Sequence, residues 1–181
     1  MPKGLESISQ KPEIVVKDNT KEVMPAIRNI AGITFGEEYA CVLDSCISIN
    51  AEIDGVVVGY GTASIDYVEN ICLEDHIQLF VDLYPFQVGI IGNVATHPDY
   101  QRKGVGYEIT KELVKRLRLL GQKTIIGSAW RSKHGINIGS VLTKIGFTPV
   151  IEIDEFWKGQ PCIQCGDCCT CPAVIFELRL D

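Results

Sequence analysis

Asn93-Val94-Ala95-Thr96-His97-Pro98-Asp99-Tyr100-Gln101-Arg102-Lys103-Gly104-Val105-Gly106 leaves an apolar run, passes through a Pro-containing turn and a Gly-x-Gly pair, and enters a strongly helical pattern. Val88 to Thr96 reads as a strand. Gly104 and Gly106 remove side chains where the backbone turns tightly and a ligand can come close. From Gly106 onward the pattern is helical. The first-turn N–H groups of such a helix lack intrahelical partners and its dipole is positive at that end, so a phosphate can sit there. Gln101, Arg102 and Lys103 add donors and charge. The ligand implied is a phosphorylated cofactor. Taken alone, the pair could be an ordinary turn beside solvated charge. The order of the surrounding elements argues against that.

Downstream, Ile109, Leu113, Val114, Leu117 and Leu120 recur at helical spacing on one face until Gly121 ends the pattern. Residues 123–128 read as another strand, and Ile138, Val141, Leu142 and Ile145 form a second helical stripe stopped by Gly146. Upstream, residues 13–17 suggest a first strand and residues 21–45 one or two helices, with Pro25 placed early, where a helix tolerates it. Ile47 to Ile53 alternates as a strand, Asp54-Gly55 is a hairpin turn signal, and residues 56–65 answer as the partner strand. Residues 66–85 have no clean period, although 75–83 could form a short helix. Residues 147–154 and 173–180 read as the last two strands.

At 181 residues, 46% hydrophobic and 22% charged, the chain has the composition of a globular protein with a sizeable core. Residues 1–12 are expected to be a flexible N-terminus, and residues 13–181 a single domain with a Cys-rich loop at 160–172. No apolar run is long enough to cross a bilayer and the first ten residues lack a secretory core, so no membrane partner and a cytoplasmic location are expected. Residues 1–90 carry 5 Lys plus Arg against 14 Asp plus Glu, a net of −9, whereas 91–181 carry 12 against 9, a net of +3. The acidic half suits a cationic or amine substrate by field steering, although most such carboxylates are solvated faces. A nucleic-acid partner would want a basic stripe that the chain lacks.

The glycine stretch is neither a P-loop, which would end in Lys followed by Ser or Thr, nor a dinucleotide fingerprint, because Ile109 stands where a third glycine is needed. Gln101-Arg102-Lys103-Gly104-Val105-Gly106 resembles the Q/R-x-x-G-x-G/A motif of the GNAT acyltransferases, and Gly146-Phe147 resembles the Gly-Phe pair that closes a later helix in that family. The likeness is good over residues 86–156 and looser elsewhere. It implies an α/β (α+β) fold, a mixed, mostly antiparallel sheet flanked by helices. It also implies transfer of an acyl group, acetyl above all, from acetyl-coenzyme A to a primary amine on a small molecule or peptide. By resemblance, the backbone of Val94, Ala95 and Thr96 would hold the pantetheine arm and polarise the thioester. Gln101, Arg102, Lys103, Gly104, Val105 and Gly106 would hold the pyrophosphate, and a homodimer would be compatible with the family.

Two family features are missing. Ile90 stands where some members carry a basic Glu, and Leu142 where many carry a Tyr general acid. A family Asn aligns to Gly135, with Asn137 two residues on. The catalytic residues are therefore unknown. Asp66, Glu69, Glu74, Asp75 and Asp82 are candidate water-mediated bases, His134 a candidate acid, and Asn93 a candidate for orienting substrate or water. A chain without these groups could instead be a coenzyme A-binding regulatory module, or a metal or redox sensor, that has lost catalysis.

Five of the eight cysteines fall in Cys162-Ile163-Gln164-Cys165-Gly166-Asp167-Cys168-Cys169-Thr170-Cys171-Pro172. Adjacent cysteines with Gly, Asp and Gln between them cannot all face a core. The spacing of Cys162, Cys165, Cys168 and Cys171 suits thiolate ligation of Zn²⁺ or of an iron–sulfur cluster. Redox-active thiols and an unliganded loop remain alternatives. Cys41, Cys46 and Cys72 are scattered and read as reduced thiols.

Overall fold

A computed structural model describes residues 12–40, 47–70, 76–131, 138–163, 165–166 and 168–181. Most of the expected N-terminal tail therefore lies outside the described residues, as do Cys41, Cys46, Cys72, Glu74, Asp75, His134, Gly135 and Asn137.

The alternating and apolar runs become β1 (Val15–Asp18), β2 (Ile47–Ile53), β3 (Val56–Asp66), β4 (Val88–Thr96), β5 (Thr124–Trp130), β6 (Thr148–Ile153) and β7 (Ala173–Arg179). They form one seven-stranded sheet in the order β1-β2-β3-β4-β5-β7-β6. Every neighbouring pair is antiparallel except β4 and β5. A parallel pair needs a crossover, and the helix α3 (Val105–Leu119) supplies it. Asp54 and Gly55 both take positive φ, 51° and 76°, the geometry that a two-residue hairpin turn demands.

Residues 21–40 form a 3₁₀ turn (Lys21–Val23), the helix α1 (Met24–Thr34) with Pro25 in its first turn, and a second 3₁₀ turn (Glu37–Tyr39). The short helix α2 (Ile77–Leu83) occupies part of the aperiodic stretch, and α4 (Gly139–Ile145) carries the second stripe. Alternation along the strands gives the sheet two apolar faces. On one, Ile109, Leu113 and Leu117 of α3 and Leu142 of α4 pack against Ile91, Ile125, Val174 and Phe176. On the other, α1 packs Ile27, Ile30 and Ala31 against Tyr60 and Ala95, while α2 packs Phe80 against Val88, Ile126 and Ile175. Leu120, expected on the buried stripe, is 59% exposed because α3 has already ended at Leu119 and the chain turns through Gly121.

Glycines on β3 let α3 lie close to the sheet. A Cβ at Gly59 would stand 2.8 Å from the backbone oxygen of Ala95 and 2.8 Å from Val105 Cγ1, leaving no flexible end to yield. Gly59→Ala is therefore expected to cost about 1–3 kcal/mol in urea unfolding, as overpacking does. A variant as stable as the wild type would mean that α3 can lift off the sheet freely.

Candidate active site

The site begins where β4 and β5 part. They pair only from Gly89 to Ile91 against Ile125 to Gly127, although β4 continues to Thr96 and β5 to Trp130. Each strand is held by its outer neighbour: β3 pairs β4 as far as Thr96, and β7 pairs β5 as far as Trp130. β4 carries a bulge at Gly92-Asn93 opposite Thr62 of β3, with Thr62 Oγ1 accepting the Asn93 N–H at 3.0 Å in place of a ladder partner.

Beyond the bulge, alternation fixes which backbone groups face the gap. His97 N–H donates to Val58 O at 2.8 Å, so Val58 and His97 form a bonded pair, and Tyr60 and Ala95 form the next. The N–H and C=O groups of Val94 and Thr96 then point away from β3, toward β5. The sequence groups Val94, Ala95 and Thr96 together, but Ala95 is committed to Tyr60 by its backbone and buried against α1 by its methyl.

At the end of β4, a 3₁₀ turn (Pro98–Tyr100) leads into Gln101, whose side-chain amide donates to Thr96 O at 3.4 Å and braces the turn. Arg102 and Gly104 both adopt left-handed φ, 61° and 93°, and Gly104 caps α3. Two such residues in three curl the backbone into a concave run of N–H groups at the positive end of a 15-residue helix. Lys103 Nζ lies 4.6 Å from the Tyr100 ring centroid, and both Arg102 and Lys103 are exposed. A Cβ at Gly106 would meet only Thr96 Oγ1, at 3.8 Å. The cradle is therefore open at the place where a side chain would fill it.

Gap and turn form one cleft of about 1230 Å³, lined by Val94 to Thr96 and Gln101 to Gly106. Part of the lining is aromatic. Phe35 lies 6.4 Å from Tyr39 and 6.2 Å from Trp130, centroid to centroid. Asn93 Nδ2 donates to Tyr39 O at 2.9 Å, and the Tyr60 hydroxyl donates to the same oxygen at 3.2 Å, fixing this wall to the sheet. These aromatics carry no sequence signal, because Phe35 and Trp130 are far apart in the chain and isolated among unlike neighbours.

Of the carboxylates expected as bases, the described ones, Asp66, Glu69 and Asp82, do not line the cleft, and Glu74 and Asp75 lie outside the described residues. Asp66 Oδ1 accepts from Tyr67 N–H at 2.8 Å and Asn70 Nδ2 at 2.7 Å, closing its own turn. Asp82 accepts from Gln78 on the surface of α2, and Glu69 is exposed. Among the described lining residues Asp99 is the sole carboxylate, and its side chain is 81% exposed beside His97. Ile90 lines the cleft, whereas Leu142 is wholly buried beneath it.

The loop between β6 and β7 also lines the cleft, through Pro161, Cys162, Ile163 and Cys169. The sulfurs of Cys162, Cys165, Cys169 and Cys171 all lie within 4.8 Å of one another, and Cys165 Sγ is 3.4 Å from Cys171 Sγ. Cys168, favoured by the spacing of three, is exposed and outside this group. The reason is a chain reversal. Cys162 and Gly166 exchange backbone hydrogen bonds of 2.9 and 2.8 Å, and Cys169 N–H returns to Gln160 O at 3.1 Å, which turns Cys169 inward and Cys168 outward. A backbone hydrogen bond at Thr170, assisted by Cys171, pulls the Cys165 thiol down to about 7. Burial pushes Cys169 up to about 12.

No helix among the described residues is long and apolar enough to cross a membrane. The sequence pattern of the Acetyltransferase (GNAT) family matches residues 20–147. No curated protein matches the chain in sequence. Arabidopsis thaliana NAA60, solved with a bisubstrate analogue, superposes with a TM-score of 0.69 at 13% identity, covering 93% of this chain and 99% of that one. A GNAT family acetyltransferase from Elizabethkingia anophelis with acetyl-CoA bound gives 0.64 at 17% identity, covering 92% and 98%. An IAA acetyltransferase from Bacillus cereus gives 0.63 at 15% identity, covering 93% and 100%. At such identities the likeness is one of fold. The family pattern, however, spans most of the chain and takes in β4, the glycine turn and α3, the elements that build the cleft, and so the chain belongs to the GNAT acetyltransferase family.

Proposed function

We propose that the protein transfers an acetyl group from acetyl-coenzyme A to a primary amine carried on an apolar or aromatic body. The observation that carries this reading is the gap between β4 and β5, which runs directly onto the open N-terminal turn of α3. A pyrophosphate fits that turn: backbone N–H groups from Gly104 to Gly106 would bind it, and Arg102 and Lys103 would neutralise it. The pantetheine arm, itself an amide chain, fits an unpaired strand edge, so Val94 and Thr96 would pair with it. An N–H from the same edge would steady the oxyanion that develops on the thioester carbonyl. The Elizabethkingia neighbour, of the same fold, has acetyl-CoA bound, which supports acetyl-coenzyme A as the donor.

The described lining offers no carboxylate besides the exposed Asp99, so the ammonium proton would leave through water, and water would protonate the departing thiolate. Orientation then supplies much of the rate. Among the described residues, the carboxylates of the acidic N-terminal half do not line the cleft, and Phe35, Tyr39 and Trp130 favour an apolar acceptor over a polycation. Any ion held by the cysteine loop would act on that loop's shape and not on the acyl group.

Thiol release from acetyl-coenzyme A across a panel of amines tests the reading. Aryl-alkyl and other apolar amines are expected to give release well above hydrolysis. Binding without turnover on any amine would favour a coenzyme A-binding module, and absence of binding would remove the reading altogether. Arg102→Ala and Lys103→Ala should each weaken acetyl-coenzyme A by roughly 3- to 10-fold at low salt and less at high salt, since exposed charges are screened. Calorimetry at two ionic strengths measures this; equal affinity throughout would mean that these side chains point elsewhere.

A further inference from the structure

The geometry points to a single Zn²⁺ ion bound by Cys162, Cys165, Cys169 and Cys171, holding the β6–β7 loop in place as a wall of the cleft. Two short turns deliver the four sulfurs. The first is the Cys162 to Gly166 hairpin, closed by its reciprocal backbone hydrogen bonds and turned at Gly166, where φ is +86°. The second carries Cys169 and Cys171, which are 2% and 4% exposed, with Cys171 N–H donating to Cys169 Sγ at 3.4 Å. Backbone donors of this kind orient and support a thiolate. The loop is tied to the sheet next to this site, where Arg131 N–H donates to Pro172 O at 3.0 Å.

Distance decides between one ion and a cluster. Four thiolates at about 2.3 Å from one tetrahedral centre stand about 3.8 Å from each other. The observed sulfurs, with one pair at 3.4 Å and none beyond 4.8 Å, already have nearly that spacing. A four-iron cluster puts each thiolate on its own iron at a corner of a cube, which requires wider separation. With all four positions filled by protein sulfur, no site is left for water, so the ion is structural and not catalytic. Apolar packing does not account for the convergence, because Gly, Gln, Asp and Thr make up much of the loop.

Cys162 and Cys169 also line the cleft, beside Pro161 and Ile163. Loss of the ion would therefore loosen this wall of the cleft. That consequence for the amine rests on the acetyltransferase reading; the ion does not.

The test uses the full chain purified without chelator, with metal content, thiol titration and cobalt spectra as readouts. The wild type should hold one zinc, and replacement by Co²⁺ should give the visible bands of a tetrahedral four-thiolate site. Cys168→Ser should keep the full zinc content, whereas Cys165→Ser and Cys169→Ser should lose most of it. Because a Cys169 variant could fail to fold, chelation of the folded wild type provides a second route. It should speed hydrogen exchange in residues 160–172 by about tenfold or more, lower Tm and leave coenzyme A affinity within about twofold. Zinc-free protein that takes up no zinc, with all five loop thiols titratable, would overturn the site. So would zinc lost in Cys168→Ser but kept in Cys169→Ser. Iron with cluster absorbance would overturn the single-ion assignment. If zinc is bound and no amine turns over, the acetyltransferase reading fails and the metal site stands.

Discussion

Gly106→Val is expected to fold as the wild type does and to bind coenzyme A at least about 100-fold more weakly, a loss of about 2.7 kcal/mol. Gly106 lies inside the first turn of α3 with helical backbone angles, and its missing side chain would meet only the Thr96 hydroxyl at 3.8 Å. Nothing in the protein itself resists the substitution, and replacing glycine in a helix relieves an entropic cost. What the branched side chain does occupy is the concave space in front of the α3 N–H groups, where a phosphate would have to approach to hydrogen-bond distance. Gly104 would be a poorer probe. Its φ of 93° makes any β-branched replacement strain the turn itself, so that loss of binding and distortion could not be separated. Calorimetry with coenzyme A, alongside a thermal melt, reads both quantities at once. A folded Gly106→Val protein with unchanged affinity would move the phosphate site away from this turn.

Leu113→Ala should have the largest effect on stability, a loss of about 3–5 kcal/mol and hence roughly 6–20 °C in Tm for a chain of this size. Leu113 is wholly buried in the middle of α3. It faces Gly61 of β3, where a Cβ would lie only 3.1 Å from Leu113 Cδ1. Because a glycine stands opposite, that position has no side chain to swing in and fill the hole. The cavity left by the truncation should therefore be nearly fully expressed in the loss of stability. The variant should keep its coenzyme A affinity at temperatures where it remains folded, because Leu113 lies two turns beyond the start of α3, where Val105 and Ile109 stay buried against the sheet. A loss below about 1 kcal/mol in urea unfolding would show that the helix resettles onto the sheet.

The elements legible in the sequence are those whose signal is local. Ile47–Ile53 and Val88–Thr96 are readable to the residue because an apolar or alternating run meets a turn signal at its edge. The glycine turn is readable because Gly104 and Gly106 stand out between a strand and an amphipathic stripe. The bulge that β4 makes at Gly92-Asn93 opposite Thr62, which decides that Val94 and Thr96 rather than Ala95 open toward β5, is marked in the chain only by a Gly-Asn pair interrupting an apolar run; its effect on register arises from how two strands pair. Phe35, Tyr39 and Trp130 meet only in the folded sheet, so their wall is invisible in the chain. Spacing alone favours Cys168 because it counts residues evenly, whereas a hairpin at Cys162 to Gly166 shifts the inward face by one position, to Cys169. Carboxylates stand as candidate bases by residue type, and type does not say which way a turn points them: Asp66 is used up in its own turn.

The most direct test of the account follows the acetyl group. Acetyl-coenzyme A labelled with ¹³C in the acetyl carbons, incubated with the purified chain and a mixed pool of apolar and peptide amines, is analysed by mass spectrometry for the fate of the label. The account predicts label in a new amide on amine nitrogen, dependent on the protein and lost in Gly106→Val. Label recovered only as free acetate at the uncatalysed rate, with coenzyme A bound but no acetylated amine formed, would contradict it.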